Sequence, residues 1–284
     1  MKFYSHKYIL ENEVTVNPMG EIAGFQVRPG MFDINGATAL ANGVCFTVHT
    51  HNGTSCELLL FHREEEEPYA VLPFPEAYKI GDVYSMIVFD LRVEDFEYAY
   101  RIDGPYDSGK GLLFDKRKVL LDPYARVVAG QRIWGERRQD AYHARVLRDV
   151  FDWGDQKQSH KELCDLIIYE LHVRGFTQHP SSGVKHRGTF EGLKEKIPYL
   201  KELGVNAVEL MPIFEFDETM NAREVDGKKL MEYWGYNTVS FFAPNTSYIA
   251  QDEYNQEGTE LKELIKELHE NHIEVILDVV FNHT

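Results

Sequence analysis

Three short apolar runs in the second half of the chain each finish in residues that hold or move protons. Tyr169-Glu170-Leu171-His172-Val173-Arg174 closes the first, Glu209-Leu210-Met211-Pro212 the second, and Asp278 followed by Asn282 and His283 the third. A lone His or Asp is an ordinary structural residue, whereas polar groups converging from three strand ends on one rim form a place where a hydroxylated substrate can be held and polarised. Between the second and third runs, Tyr233-Trp234-Gly235-Tyr236-Asn237 adds aromatic faces, with Phe241 and Phe242 close behind. Sugars present flat C–H faces ringed by hydroxyls, so rings beside carboxylates, amides and imidazoles are the chemistry of a sugar pocket. Trp234 reads equally well as packing for its loop; Tyr236 carries a hydroxyl that packing does not require.

The elements that must position these residues alternate in type. From about residue 163 the chain runs strand, helix, strand, helix, strand. The first strand is expected over 166–173 and the first helix over 191–203, with Leu193, Ile197, Leu200 and Leu203 on one face and Gly204 as its C-cap. A second strand is expected over 207–213, a second helix over 261–272 and a third strand over 274–281. Two successive βαβ units make a parallel sheet, and chemistry in such sheets sits at the C-terminal strand ends. The stretch between Pro212 and Glu260 is too long for an ordinary connection and follows one of those ends, which marks it as functional.

Up to about residue 150 the period is that of strands and turns. Stretches 44–49, 57–62, 84–91 and 96–102 are expected strands, punctuated by Asn42-Gly43, Asn52-Gly53 and Ile80-Gly81-Asp82. This spacing predicts an antiparallel, Ig-like β-sandwich of about 100 residues. The domain division expected is therefore 1–150, all β, and 151–284, α/β. Glu64 to Glu67 reads as a solvated loop tip.

Composition bounds the partners. The 284 residues carry 46 acidic against 30 basic side chains, a formal charge of −16, which repels nucleic acid and anionic lipid. Cys45, Cys56 and Cys164 are too few and scattered for a disulfide framework, and no signal peptide or membrane-length apolar run is present in the sequence, so a cytoplasmic protein is expected. Gly104 to Gly111 matches the G-x-x-x-x-G-K part of a phosphate-binding loop but has Gly111 where Ser or Thr would bind Mg²⁺, and no helix-entry signature follows. Nucleotide binding is not expected.

Several segments resemble a known family. Tyr100-Arg101-Ile102-Asp103-Gly104-Pro105-Tyr106, Leu120-Leu121-Asp122-Pro123-Tyr124-Ala125, Tyr169-Glu170-Leu171-His172-Val173-Arg174-Gly175-Phe176, Tyr233-Trp234-Gly235-Tyr236-Asn237 and Asp278-Val279-Val280-Phe281-Asn282-His283-Thr284 resemble, in order along the chain, bacterial glycogen debranching enzymes of the isoamylase type, in glycoside hydrolase family 13, the α-amylase family. The resemblance implies a sandwich like carbohydrate-binding module family 48, then about the first three strands of a (β/α)8 TIM barrel. It implies retaining hydrolysis of α-1,6 branch linkages in glycogen, amylopectin or limit dextrin. Asp278 would be a structural carboxylate of the site, His283 a hydrogen-bond donor to the sugar, and Tyr236 the platform beneath that ring, with Trp234 beside it. Asn282 matches a position that ligates calcium in many α-amylases; debranching relatives often dispense with the ion, and no metal or other cofactor is expected.

The family's nucleophile, acid and third essential Asp lie on later strands than these, so the chain is expected to be the front of such an enzyme and inactive by itself, with an unpaired strand edge and apolar helix faces exposed. Alternatives are a non-catalytic glucan-binding protein in which the sandwich alone acts, and a glucan branching enzyme, which shares the plan; the 120–126 and 233–237 segments favour debranching.

Overall fold

The alternating stretches of the first half pair into two antiparallel sheets. One has the order Gly20–Ile22, Phe25–Pro29, Val83–Phe89, Gly43–His49, Gly36–Leu40, with Lys79–Ile80 also on Val83–Phe89; the other runs Val127–Ala129, His143–Arg145, Phe96–Asp103, Ser55–His62, Ala70–Pro73. Phe46 of the first sheet meets Phe96 and Tyr98 of the second edge-on, at 6.3 and 5.0 Å between ring centroids. The outer faces are covered as well. Ile9, from the helix His6–Glu11, packs with Leu40, Cys45, Ile87 and Phe89, while Leu59, Phe61 and Ala99 cluster with Val71 and Val119. Burial on both faces explains why 57–62 reads as a continuous Leu-Leu-Leu-Phe run rather than a strict alternation. Glu64 to Glu67 lie in the exposed turn between Ser55–His62 and Ala70–Pro73. The Gly104 to Gly111 stretch forms the short pair Tyr106–Asp107 and Leu112–Leu113 around one 3-10 turn, with Gly111 at φ 72°.

This computed structural model describes residues 6–130, 133–136, 141–148, 151–154, 161–220, 222–251 and 257–282. Its contacts divide into two units, Met1–Ala129 with Arg138–Val150, and Gly130–Arg137 with Phe151–Thr284. The 130–137 stretch thus belongs with the second unit although its sequence neighbours belong to the sandwich.

The second unit is built on three parallel strands, Ile168–Leu171, Ala207–Leu210 and Glu274–Leu277, with Leu171, Leu210 and Leu277 level across the sheet. All three are shorter than expected: the first yields at Val173 to the helix Val173–Gln178, and the third stops at Leu277 rather than 281. Glu274–Leu277 pairs on one side only among the described residues, and Leu277, with Val279 and Phe281 just beyond the strand, is exposed.

The expected helix over 191–203 is two helices, Phe190–Lys194 and Ile197–Leu203. Pro198 has no N–H to give the Lys194 carbonyl and its ring crowds that carbonyl, so the helix ends and restarts with Pro198 in its first turn. Leu193, Ile197 and Leu200 are buried against Val208 and Leu210 of the sheet and Leu264 and Leu268 of the following helix, but Leu203 is exposed. That following helix, Glu257–Glu270, begins four residues earlier than its apolar period suggested. The long stretch after Leu210 is not structureless: Phe214–Phe216 pairs with Thr238–Pro244, and Arg223–Val225 with Lys228–Leu230 across an Asp226-Gly227 turn whose residues both have positive φ, 51° and 72°. No helix among the described residues is long and apolar enough to cross a membrane.

Candidate active site

Register decides which side chains share the open face of the parallel sheet. Leu171 and Leu210 pack toward the helices, so Glu170 and Glu209, partners in the ladder, point the other way. Asp278 lies two residues past Ile276, the partner of Glu209, and its N–H donates to the Leu210 carbonyl at 3.0 Å; the pleat therefore places it on the Glu170 and Glu209 side. The hairpin strand Thr238–Pro244 delivers the residues before it to the same place. The Tyr236 hydroxyl donates to the Asp278 carboxylate. That bond, together with partial burial and the negative charge of Asp278, Glu170 and Glu209, pushes the Tyr236 phenol up to about 12, so it stays protonated at neutral pH.

Trp234 is 60% exposed and meets Tyr236 edge-on, 6.3 Å between centroids and 88° between planes. Phe281 packs on Phe241 at 5.5 Å, and Asn282 is exposed at the end of the described chain. His283 lies outside the described residues. Of the residues singled out in the sequence, Tyr236 and Asp278 are in direct contact, Trp234 adjoins Tyr236, and Glu170 and Glu209 share the face. Among the described residues no group of three His, Cys, Asp or Glu side chains is arranged to hold a metal ion.

His172, which the sequence placed on the rim with these groups, is instead turned into packing and only 7% exposed. It caps the helix Val173–Gln178: Nδ1 accepts the Gly175 N–H at 3.1 Å, and Nε2 lies 2.6 Å from the Tyr233 carbonyl oxygen. Burial lowers its basicity. Around it stand Trp134, Tyr233 and Tyr248, with the Arg174 guanidinium 4.7 Å above the Trp134 ring.

Buried carboxylates fix the loops beneath the site. Glu215 accepts the Thr246 N–H at 2.7 Å and its hydroxyl at 3.3 Å, Glu218 accepts the Gly135 N–H at 2.7 Å, and Glu260 accepts the N–H groups of Ala250 and Gln251. Burial raises the Glu218 and Glu260 carboxyls. None of these was evident in the sequence, because their partners are backbone groups of distant loops; the nearest signal is Asp and Glu clustered in an otherwise apolar stretch, 214–218.

The chain has relatives that place this geometry in a family. Residues 35–125 match carbohydrate-binding module 48, the isoamylase N-terminal domain, and residues 146–284 match the alpha amylase catalytic domain. Isoamylase 3, chloroplastic, of Oryza sativa subsp. japonica is 39% identical over 265 residues, covering 88% of this chain and 34% of that protein. The glycogen debranching enzyme of Serratia proteamaculans (strain 568) is 33% identical over 275 residues, 91% of this chain and 40% of that protein. Among solved structures, pullulanase type I from Bacillus subtilis str. 168, complexed with maltose, superposes with a TM-score of 0.67 at 28% identity, over 90% of this chain and 34% of that one. The chain thus spans about a third of the length of the relatives it matches. With the sandwich first, the parallel strands after it and these relatives in common, the chain belongs to the α-amylase family of glycoside hydrolases, in the branch of the isoamylases and glycogen debranching enzymes.

Proposed function

We propose that the chain supplies the glucan-engaging front of an enzyme that hydrolyses α-1,6 branch linkages in glycogen, amylopectin or a limit dextrin with retention of configuration. The observation that carries this reading is the Tyr236–Asp278 pair on the open face of the parallel sheet, with Trp234 exposed beside it. A glucosyl ring laid on Tyr236 offers its C–H face to the phenol ring, and the tether to Asp278 holds that phenol still. The second Asp278 oxygen and the Glu170 and Glu209 carboxylates accept sugar hydroxyls, and His283, five residues beyond Asp278, is assigned the donation of a hydrogen bond to the same sugar. Asn282 is assigned to the rim of this subsite and not to a metal.

Retaining cleavage needs a nucleophilic carboxylate and a proton-donating one about 5 Å apart on either side of the scissile bond. Asp278 is bonded to Tyr236, and by the resemblance the nucleophile and the acid are assigned to strands later than these three, so the chain by itself is expected to bind glucan without cleaving it. The reading is supported by the similarity to an isoamylase and a glycogen debranching enzyme, and by the maltose held by the similar pullulanase. A cytoplasmic setting is part of the proposal, since Cys45, Cys56 and Cys164 are all free thiols.

Affinity electrophoresis in a glycogen-containing gel tests it. The chain is expected to be retarded, Tyr236→Ala and Asp278→Ala markedly less so, and no reducing ends are expected from glycogen. Equal retardation of all three would move binding to the sandwich, in line with its match to a carbohydrate-binding module; steady release of reducing ends would overturn the division of labour.

A further inference from the structure

His172 stands where the first parallel strand turns into its helix, and both ring nitrogens are committed. Because Nδ1 accepts from Gly175, the ring proton resides on Nε2 and is donated to the Tyr233 carbonyl at 2.6 Å. The imidazole also lies flat on the Tyr233 ring, 4.1 Å between centroids at 10°. A Cβ on Gly175 would stand 2.0 Å from the Tyr233 hydroxyl, so the helix and this tyrosine are in close approach that only glycine permits. Trp134 and Tyr248 meet the imidazole edge-on at 6.4 and 5.7 Å, which leaves it one orientation.

From Tyr233 the chain has little freedom before Tyr236. Gly235 has φ 87°, and a Cβ there would come within 2.7 Å of the Phe216 ring. A loop pinned at Tyr233 and pressed on Phe216 at Gly235 delivers the Tyr236 hydroxyl to Asp278. We propose that His172 is a positioning residue for Tyr236: its Nε2–H bond to the Tyr233 carbonyl and its stack on the Tyr233 ring latch the 233–237 loop in the geometry that lets Tyr236 reach Asp278. His172 touches no sugar in this role. The proposal rests on the reading of Tyr236 as a glucan platform, and the latch itself is measured without sugar.

Two substitutions separate the functions of the imidazole. His172→Asn sets an amide oxygen where Nδ1 stands, keeping the helix cap, but is too short to reach Tyr233. His172→Gln sets an amide N–H near the position of Nε2 and gives up the cap. Amide hydrogen exchange on the whole chain is expected to be about tenfold faster over 233–237 in His172→Asn, with 173–178 unchanged. In His172→Gln the pattern reverses in part: 173–178 exchanges faster and 233–237 recovers toward wild type. Titration calorimetry with maltoheptaose is expected to show His172→Asn weakened about as much as Tyr236→Ala, and the double variant no weaker than Tyr236→Ala alone. Wild-type exchange over 233–237 in His172→Asn, or a double variant whose losses simply add, overturns the latch. Undiminished maltoheptaose binding by Tyr236→Ala removes the proposed function instead, and the exchange data still decide whether the latch exists.

Discussion

The sequence signals behind the Tyr236–Asp278 contact are a phenol in a long loop and a carboxylate interrupting an apolar run. His172 was visible as a polar residue but misplaced, because its direction depends on Tyr233, which lies 61 positions away, and on the cap that its Nδ1 gives Gly175. Trp134 was invisible, lying in sequence between sandwich strands yet packing with the second unit. Asp122 carries a prediction of its own. It is buried, accepting the Tyr98 hydroxyl at 2.7 Å and the Tyr124 N–H at 2.8 Å, and burial lifts its carboxyl to about 6 from an ordinary 3.8. The folded state therefore holds this proton more tightly than the unfolded chain. The resulting stabilisation is complete below pH 3.8 and is lost as pH rises through about 6, on the order of 2–3 kcal/mol in full. Urea melts between pH 4 and 7 should show a shallower decline for Asp122→Asn than for wild type; parallel pH profiles would mean that the Asp122 carboxyl does not titrate in that window.

At the level of elements, the strands that read clearly were those with aromatic or β-branched faces, 44–49, 57–62, 84–91 and 96–102, and each is a strand to within two residues at either end. Those missed are mostly short or polar, the exception being the seven-residue Thr238–Pro244 inside the long stretch that follows the second parallel strand. His143–Arg145 is recognisable only through its neighbours: His143 meets Glu97 at 3.2 Å and Arg145 donates to the Val128 carbonyl, so polar side chains lie buried in a strand that has no apolar pattern. Helix boundaries failed where a single residue overrode the period, as Pro198 does. Gly204 and Gly192 illustrate two different demands on glycine in that region. Gly204 has φ 85° as the C-cap of Ile197–Leu203 with open space around it, so Gly204→Ala is expected to cost about 1 kcal/mol from backbone conformation alone. A Cβ on Gly192 would lie 2.1 Å from the His186 carbonyl oxygen, and Gly192→Ala should cost more, about 2–3 kcal/mol, because backbone must move. Chemical denaturation of the two variants checks the order; a reversed order would mean that the 186–192 backbone yields to a methyl group at Gly192.

For the molecule as a whole, the change of period near residue 150 announced two kinds of architecture, and the sheets follow it: antiparallel pairs in the first unit, three parallel strands in the second. What the period did not disclose is how the acidic excess is used. Among the described residues, the acidic side chains Glu97, Asp122, Glu215, Asp217, Glu218 and Glu260 are buried, and several of these hold loops by their N–H groups rather than facing solvent. The glucan site proposed above is the open face of the parallel sheet, with Glu170, Glu209 and Asp278. Titration calorimetry of maltoheptaose into the chain, compared with Tyr236→Phe and Tyr236→Ala, tests that assignment most directly. Tyr236→Phe keeps the ring and loses the tether to Asp278, so its affinity should fall by about threefold, whereas Tyr236→Ala loses the stacking surface and should fall at least about tenfold. Wild-type affinity in both variants would contradict the account and place glucan binding away from Tyr236.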